Sequence, residues 1–434
     1  MTNISRKIVT SVLRTESKLA LWKYKPRIIA VTGSAGKTST KDAVYAVMSK
    51  FVFVRKNAKS YNTQIGLPLT ILGRPNQWNS PIGWIKNFFA GLWLSVWSKR
   101  YPKWLVLEAG VGKPGDMKET AEWLKTDAVI VTAIGETPSH IEFFESRKHL
   151  IEEKSGLIKT LKKDGILLLN FDDEAVMGMG EKAKTRIITF GFKEGANLRG
   201  SSASIAYDPS GIPEGIIFRV DHNGISIPVV IDGVFGKNHT YAALAALALA
   251  SELGFNLLEA ANALKVYDLP PGRMRLLQGI DGTLIIDDTY NSSPFACEAA
   301  LDTLGEVKIS GRKIAILGDM LELGKHTEDA HRSIGRIAKT NLRAKDVLIT
   351  VGPRARLIHE GAVAAGIKPA NTYEFTNARE VGEFIKGFLK KGDMILVKGS
   401  QGMRMERIVA GIMLDQKNKE KLLVRQGSRW AEKE

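Results

Sequence analysis

Apolar residues fall into short runs along the chain, each ending at glycine or polar positions and followed by a stretch of helical spacing. The first run, Ile28 to Val31, leads straight into Thr32-Gly33-Ser34-Ala35-Gly36-Lys37-Thr38-Ser39-Thr40, and Asp42 to Met48 behind it has helical character. This order predicts strand, glycine loop, helix. Runs at Trp104 to Leu107, Ala128 to Thr132, Ile166 to Leu169 and Ile187 to Phe190 predict further strands separated by helices, the rhythm of a mostly parallel sheet. Between 195 and 235 the texture changes, and Ile216 to Val220 and Ile225 to Ile231, set among Gly, Asn and Asp, predict a small antiparallel excursion. Tyr241 to Leu253 reads as an Ala- and Leu-rich helix. Two prolines and a glycine in Tyr267-Asp268-Leu269-Pro270-Pro271-Gly272 mark a linker. Beyond it the strand rhythm resumes at Thr283 to Ile286, Lys313 to Leu317, Asp346 to Val351 and Met394 to Val397. Ile4, Ile8, Val12 and Leu19 give the first residues an amphipathic helical spacing, and the charged tail beyond Asp415 is expected to fray. The expected organisation is a basic helical arm over 1–26, a central α/β domain over 27–268 and a second α/β domain over 269–434.

Composition narrows the class. With 434 residues, 44% hydrophobic and 25% charged, the chain buries a sizeable core and is neither collagenous nor disordered. Its single cysteine, Cys297, excludes an intramolecular disulfide and a Cys-based zinc site, and points to a reducing compartment. A formal charge of +16 favours anionic partners: nucleic acid, anionic lipid or phosphorylated small molecules. Part of that excess lies in the first 27 residues, where Arg6, Lys7, Arg14, Lys18, Lys23, Lys25 and Arg27 face one acid, Glu16. The arm lacks the uninterrupted apolar stretch and small-residue cleavage site of a signal peptide, so a cytoplasmic location is expected.

The glycine loop carries the first candidate chemistry. Small residues at Gly33, Ser34, Ala35, Gly36 and Ser39 let backbone amides converge on phosphate at a helix N-terminus. Lys37 can bridge terminal phosphates and Thr38 can hold a magnesium ion, which makes this an ATP-type loop. Val31 stands where the common G-x-x-x-x-G-K-[ST] spacing has its first glycine. An incidental glycine turn is the alternative. Glu108, ending one strand, and His140, in a loop after another, are further candidates for magnesium, although each taken alone is an ordinary loop residue.

From this loop onward the chain resembles the Mur ligases, ATP-dependent amide-forming enzymes of peptidoglycan assembly whose relatives include folylpolyglutamate synthases. The resemblance continues through Tyr61-Asn62-Thr63-Gln64-Ile65-Gly66-Leu67-Pro68-Leu69-Thr70, Leu107-Glu108-Ala109-Gly110, Ser139-His140-Ile141-Glu142 and Glu153-Lys154-Ser155-Gly156. Four later blocks are similar to the subfamily that adds D-alanyl-D-alanine to UDP-N-acetylmuramoyl-tripeptide. They are Pro271 to Met274, Asp287 to Pro294, Leu317 to Gly324 and Val397 to Glu406. The fold so implied is α/β, a central P-loop-type domain with a mostly parallel sheet followed by a Rossmann-like C-terminal domain.

The resemblance also implies roles. Lys37, Glu108, His140 and Lys154 would form the catalytic set, and Thr38, Glu108, His140 and Lys154 the ligands of two magnesium ions that accompany ATP. Lys154 matches a lysine that is often carbamylated there, the plain alternative being a lysine paired with Glu152 or Glu153 on a solvated helix face. Asn238 and His239 fall where the family reads His-Asn-x-x-Asn; here the order is altered and Ala242 replaces the last asparagine, so adenine contact and simple helix capping both stay open. Arg273 and Asp287 would reach the γ-phosphate and ribose. Asn62, Thr63, Tyr290, Asn291, Asp319, Lys398, Ser400 and Arg404 would face the peptide and amine substrates, with a helix cap for Asp319 and plain surface charge for Arg404 as alternatives.

Two features depart from the family. Only 31 residues precede Thr32, too few for the family's N-terminal UDP-sugar-binding domain, so another chain, a lipid surface or a different acceptor is expected to meet that end of the substrate. The stretch 78–104 holds Trp78, Trp84, Trp93, Trp97 and Trp104 among Lys86, Lys99, Arg100 and Lys103. Its apolar run is too short to span a bilayer. Residues 82–97 therefore predict either a peripheral membrane or partner contact, or an aromatic stripe packed on the core. The expected activity is an ATP- and magnesium-dependent ligase joining a peptidoglycan-precursor peptide to a D-alanyl-D-alanine-like dipeptide. A glutamyl-chain or amino-acid ligase with another acceptor is the second reading, and a non-enzymatic nucleotide-binding module the third. No nucleic-acid partner is expected, because no sheet with interleaved aromatic and basic residues is recognisable.

Overall fold

The computed structural model describes residues 3–57, 62–136, 141–181, 183–265, 267, 269–427 and 430. Among these residues two sheets organise the chain. The strands of the first are Arg27–Thr32 (β1), Val54–Lys56 (β2), Trp104–Glu108 (β3), Thr126–Val131 (β4), Leu161–Asn170 (β5), Arg186–Gly191 (β6), Leu198–Tyr207 (β7), Pro213–His222 (β8) and Ile225–Asp232 (β9). They lie in the order β2-β3-β1-β4-β5-β6-β7-β8-β9. Pairing is parallel as far as β7, and β7 to β9 form the antiparallel excursion. Strands β1, β3 and β4 are buried along nearly their whole length because helices cover both faces, and this is why they read as continuous apolar runs.

The second sheet contains Arg275–Gln278 (β10), Leu284–Asp288 (β11), Lys313–Gly318 (β12), Val347–Val351 (β13), Thr372–Phe375 (β14) and Met394–Lys398 (β15), in the order β10-β11-β15-β12-β13-β14. Only β10 runs antiparallel to its neighbour. In both sheets the carboxyl ends of the parallel strands open on a crevice, where α/β folds place ligands. Thr32, Glu108, Asp288 and Lys398 all stand at such ends.

Three expectations are corrected. The tail between 416 and 427 does not fray: Leu423 is buried, and Arg425 pairs with Glu406 at 2.9 Å and donates to the carbonyls of Thr289 and Tyr290, while most of the residues beyond lie outside those described. The aromatic stripe of the helix Pro81–Val96 does not pack on the core: Trp84 and Leu94 do, while Phe89, Trp93 and Trp97 stay exposed. Lys154 is on no solvated face, being only 2% exposed.

Candidate active site

Strand β1 ends in the glycine loop, and the loop's shape follows from its two glycines. Gly33 has φ +146°, and a Cβ there would stand 2.0 Å from Thr132 Oγ1. Gly36 caps the helix Lys37–Phe51 with φ +78°, the left-handed region that glycine enters at no steric cost. Thr132, just past β4, donates to the carbonyls of Thr32 at 3.1 Å and Ala35 at 2.6 Å, while Ser34 and Ala35 donate their amides to Ala133 O. The loop is therefore preformed, and the first turn of the helix aims amides that lack intrahelical partners toward the crevice. Ser34 Oγ is buried without a hydrogen-bond partner among the described residues.

Five side chains converge here. Thr38 Oγ1 donates to Glu108 Oε2 at 2.9 Å, and Asn62 Nδ2 donates to Glu108 Oε1 at 3.1 Å. Glu108 sits opposite Val31 because β3 pairs with β1 in parallel register. Lys37 Nζ donates to Gly33 O at 2.8 Å and Lys154 Nζ to the same carbonyl at 3.0 Å. Two amines share one acceptor in a buried place. Burial pulls the Lys37 ammonium down to about 8; the Glu108 carboxylate opposes this and Arg273 adds to it. Burial, reinforced by the charge of Lys37, holds Lys154 well below the ordinary lysine range despite Glu153.

The opposite wall belongs to the second sheet. Arg273 stacks on Tyr290 with its guanidinium carbon 4.0 Å from the ring centroid. Lys398 Nζ pairs with Asp288 Oδ2 at 2.6 Å and donates to Asn291 O at 3.0 Å. Together the two walls enclose a cavity of about 300 Å³ lined by Lys37, Thr38, Glu108 and Lys154 on one side and Arg273, Asp288, Tyr290 and Lys398 on the other. A second cavity, of about 870 Å³, adjoins it across Ala35, Gly36, Lys237 and Asn238 and is lined further by Asn170, Asp172 and Tyr241.

Of the residues singled out from the sequence, Ser34 to Ser39, Asn62, Glu108, Lys154, Asn238, His239, Arg273, Tyr290, Asn291 and Lys398 line the first cavity. Gly33 contributes only its carbonyl, which receives both lysines. His140 lies outside the described residues, as do Tyr61 and Ser139 of the quoted blocks. His239 is neither a helix cap nor a free base contact. Burial pushes it down to about 4, so the ring is neutral; Nε2 donates to Arg273 O and Nδ1 accepts from Tyr267 OH, both at 2.9 Å, and the ring holds the linker. Neither Asn238 nor His239 caps the helix Lys237–Glu252, whose N-cap is Gly236.

Five residues lie away from the cavity lining. Thr63 accepts from the amide of Gly66. Asp287 is fully buried and accepts from the amides of Gly272 and Thr289 and from Thr289 Oγ1; burial raises it to about 6 against those bonds. Asp319 accepts from the amides of Arg354 and Ala355, at the start of the helix Arg356–Ala364. Ser400 accepts from Leu321 N, and Arg404 is held by Glu406 and Trp430 O. Asp288, not Asp287, reaches the cavity, because side chains alternate along β11. The pair Asp287-Asp288 is visible in the sequence; its parity is not.

A phosphate loop facing a second α/β unit across a cationic cavity defines a nucleotide-dependent enzyme of two-walled construction. Residues 31–250 match the Mur ligase middle domain and residues 272–401 the Mur ligase, glutamate ligase domain. The UDP-N-acetylmuramoyl-tripeptide–D-alanyl-D-alanine ligase of Bacillus subtilis is 30% identical over 405 residues, covering 93% of this chain and 79% of that one. The Escherichia coli enzyme of the same name is 25% identical, with 91% and 79% covered. In fold the chain is similar to MurF ligase from Thermotoga maritima, solved in complex with ADP, at a TM-score of 0.76 and 24% identity over 95% of this chain and 84% of that one. MurF from Acinetobacter baumannii gives 0.75 and 23%, with 93% and 80% covered. The chain belongs to the Mur ligase family, the ATP-dependent, ADP-forming ligases of peptidoglycan synthesis.

Proposed function

We propose that this chain joins D-alanyl-D-alanine to the peptide of a UDP-N-acetylmuramoyl-tripeptide, in the cytoplasm where ATP and nucleotide-linked precursors occur. The observation that carries the reading is the cavity itself, which gathers Lys37, Glu108 and Lys154 from one wall and Arg273 and Lys398 from the other. The 30% identity with the Bacillus subtilis enzyme supports the choice of substrates. A folylpolyglutamate synthase shares the fold at a TM-score of 0.62 but only 13% identity, so the alternative acceptor has no support beyond the fold.

The chemistry has two displacements. A peptide carboxylate oxygen attacks the γ-phosphorus of ATP; the bond to the bridging oxygen breaks and ADP leaves, giving an acyl phosphate. The dipeptide amine then attacks the acyl carbon, the C–N bond forms, inorganic phosphate departs and the amine proton is released. Lys37 and the loop amides would hold the phosphates, and Arg273, stacked on Tyr290, would meet charge developing on the transferred group. The neighbouring cavity, with Asn238 and Tyr241 on its wall, would take the nucleoside end. Lys398, Asn291 and Tyr290 would face the amine substrate. Asp287 would position the linker that carries Arg273. The junction of the two units falls at 268–269.

Among the described residues no cluster of three or more His, Cys, Asp or Glu could hold a metal unaided. The hard oxygen set of Thr38 and Glu108 nevertheless fits magnesium, which is usually held by one or two carboxylates plus substrate phosphates. When bound it would supply charge neutralisation at the transferred phosphate. Lys154 suits carbamylation because burial favours the uncharged amine, the form that is nucleophilic toward carbon dioxide: its nitrogen would bond the carbon, one proton would be lost and an anionic carbamate would result. With ¹³C-labelled bicarbonate a carbamate resonance is expected in the native chain and not in Lys154→Arg; its absence from the native chain refutes the modification.

The decisive assay follows ADP formation and product mass with ATP and a panel of acceptor and amine pairs. Turnover is expected with the muramoyl tripeptide plus D-alanyl-D-alanine and not with folate plus glutamate. The converse pattern overturns the proposal.

A further inference from the structure

The helix Pro81–Val96 takes no part in either cavity, and its two faces differ. The inner face is anchored: Trp84, Asn87 and Leu94 are buried, Ser95 Oγ donates to Glu16 O at 3.2 Å, and Tyr24 OH donates to Leu94 O at 2.6 Å. The outer face presents Ile82, Ile85, Phe89, Leu92, Trp93 and Trp97 at helical spacing. Phe89 is 71% exposed, Trp93 60% and Trp97 58%, and the last two rings stack at 5.2 Å. The N-terminal helix Asn3–Tyr24, packed against it, adds exposed Trp22 and Leu19. Most exposed large apolar side chains among the described residues are concentrated in these two segments, a patch that a soluble surface rarely carries without an occupant.

Charge selects the occupant. Residues 3–27 and 74–104 contain twelve lysines and arginines and a single acid, Glu16, which is buried. Lys18, Lys86, Lys99, Arg100 and Lys103 are exposed around the apolar face. A second copy docked through the same face would bring like charges together, and these two segments offer no exposed acid to pair them. No helix of the described residues is long and apolar enough to cross a membrane. An exposed apolar face with tryptophans, flanked by exposed cations, matches the boundary between headgroups and acyl chains of an anionic bilayer.

We propose that the outer face of Pro81–Val96, with the exposed side of the N-terminal helix, docks this enzyme on an anionic lipid surface. The rings of Phe89, Trp93 and Trp97 enter the interface and the surrounding cations meet lipid phosphates. This surface is separate from the catalytic cavity, so it stands or falls independently of the substrates proposed above.

The test is flotation of the full chain with phosphatidylcholine vesicles, with and without about one third phosphatidylglycerol, alongside light scattering for its mass in solution. Binding to the anionic vesicles is expected, with a blue-shifted tryptophan emission. It should weaken at least about tenfold without phosphatidylglycerol, or when salt rises from about 0.1 M to about 0.5 M. Phe89→Ser with Trp93→Ser, both exposed and so compatible with folding, should lower the partition at least about tenfold while ADP formation in solution is unchanged. Lys86→Glu with Lys99→Glu should do the same through charge. No flotation of the native chain, or undiminished flotation of the serine variant, overturns the proposal. So does a native dimer that the serine variant dissolves without any vesicle binding, since the occupant would then be a second copy.

Discussion

Lys37 and Lys154 both donate to the carbonyl of Gly33, and the burial of Lys37, opposed by Glu108 and reinforced by Arg273, has a measurable consequence. The Lys37 ammonium loses its proton near 8 in the free chain, so its attraction for phosphate fades above that pH. Nucleotide affinity is expected to fall by up to roughly tenfold per pH unit above about 8, and Lys37→Arg to flatten the profile because a guanidinium stays charged. Calorimetric titration between pH 7 and pH 10 would read this, and a flat native profile would contradict it. Glu16 is the mirror case. Burial raises it to about 7, Arg74 opposes only in part, and Oε2 has no partner among the described residues. The folded state therefore keeps a proton that the unfolded state loses from about 4.5, so stability falls as pH rises from about 4.5 to 7 and is level beyond. Glu16→Gln should remove that slope and raise stability above pH 7 by about 1–3 kcal/mol, measured by urea unfolding at several pH values. The motif Lys37-Thr38 was plain in the sequence. The shift of Lys37 was not, since it arises from burial in the folded chain and from Glu108 and Arg273, both more than seventy positions away.

Helix packing in the second unit rests on two glycines. A Cβ on Gly335 would stand 2.2 Å from Ile358 O, and one on Gly361 would stand 2.4 Å from Arg332 O, so Thr327–Asn341 and Arg356–Ala364 meet backbone to backbone. Gly335→Ala gains about 1 kcal/mol of helix propensity but must separate the helices, and a net loss of about 1–3 kcal/mol is expected. A thermal melt that rises instead would show the contact to be compliant. The legible strands were those buried on both faces, such as β1, β3 and β4, whose apolar runs stand out. Val54–Lys56, Arg275–Gln278 and Thr372–Phe375 escaped notice because they are short edge strands, half-buried and therefore without a run. The basic arm was recognisable as a helix from its spacing, yet nothing local revealed that it packs on Pro81–Val96.

The first cavity exists only where the two units face each other, and Phe295 resting on Gly135 is one of the contacts between them. A nucleotide held by both walls should stabilise both. At ATP near 100 times its Kd, about 2.7 kcal/mol is gained, equivalent to roughly 3 °C for a chain of this size. Scanning calorimetry is expected to show the whole unfolding profile shift with ATP, and Arg273→Ala to confine the shift to the part belonging to the glycine loop. A shift confined in the native chain would mean that the walls do not share the nucleotide. The buried parallel strands, the glycine loop and the family followed from local patterns, because apolar periodicity and a contiguous loop are properties of neighbouring residues. The choice of Asp288 over Asp287, the burial of Lys154, the anchoring of Arg425 and the exposure of Trp93 followed from packing, because parity, desolvation and surface exposure depend on residues brought together from distant parts of the chain.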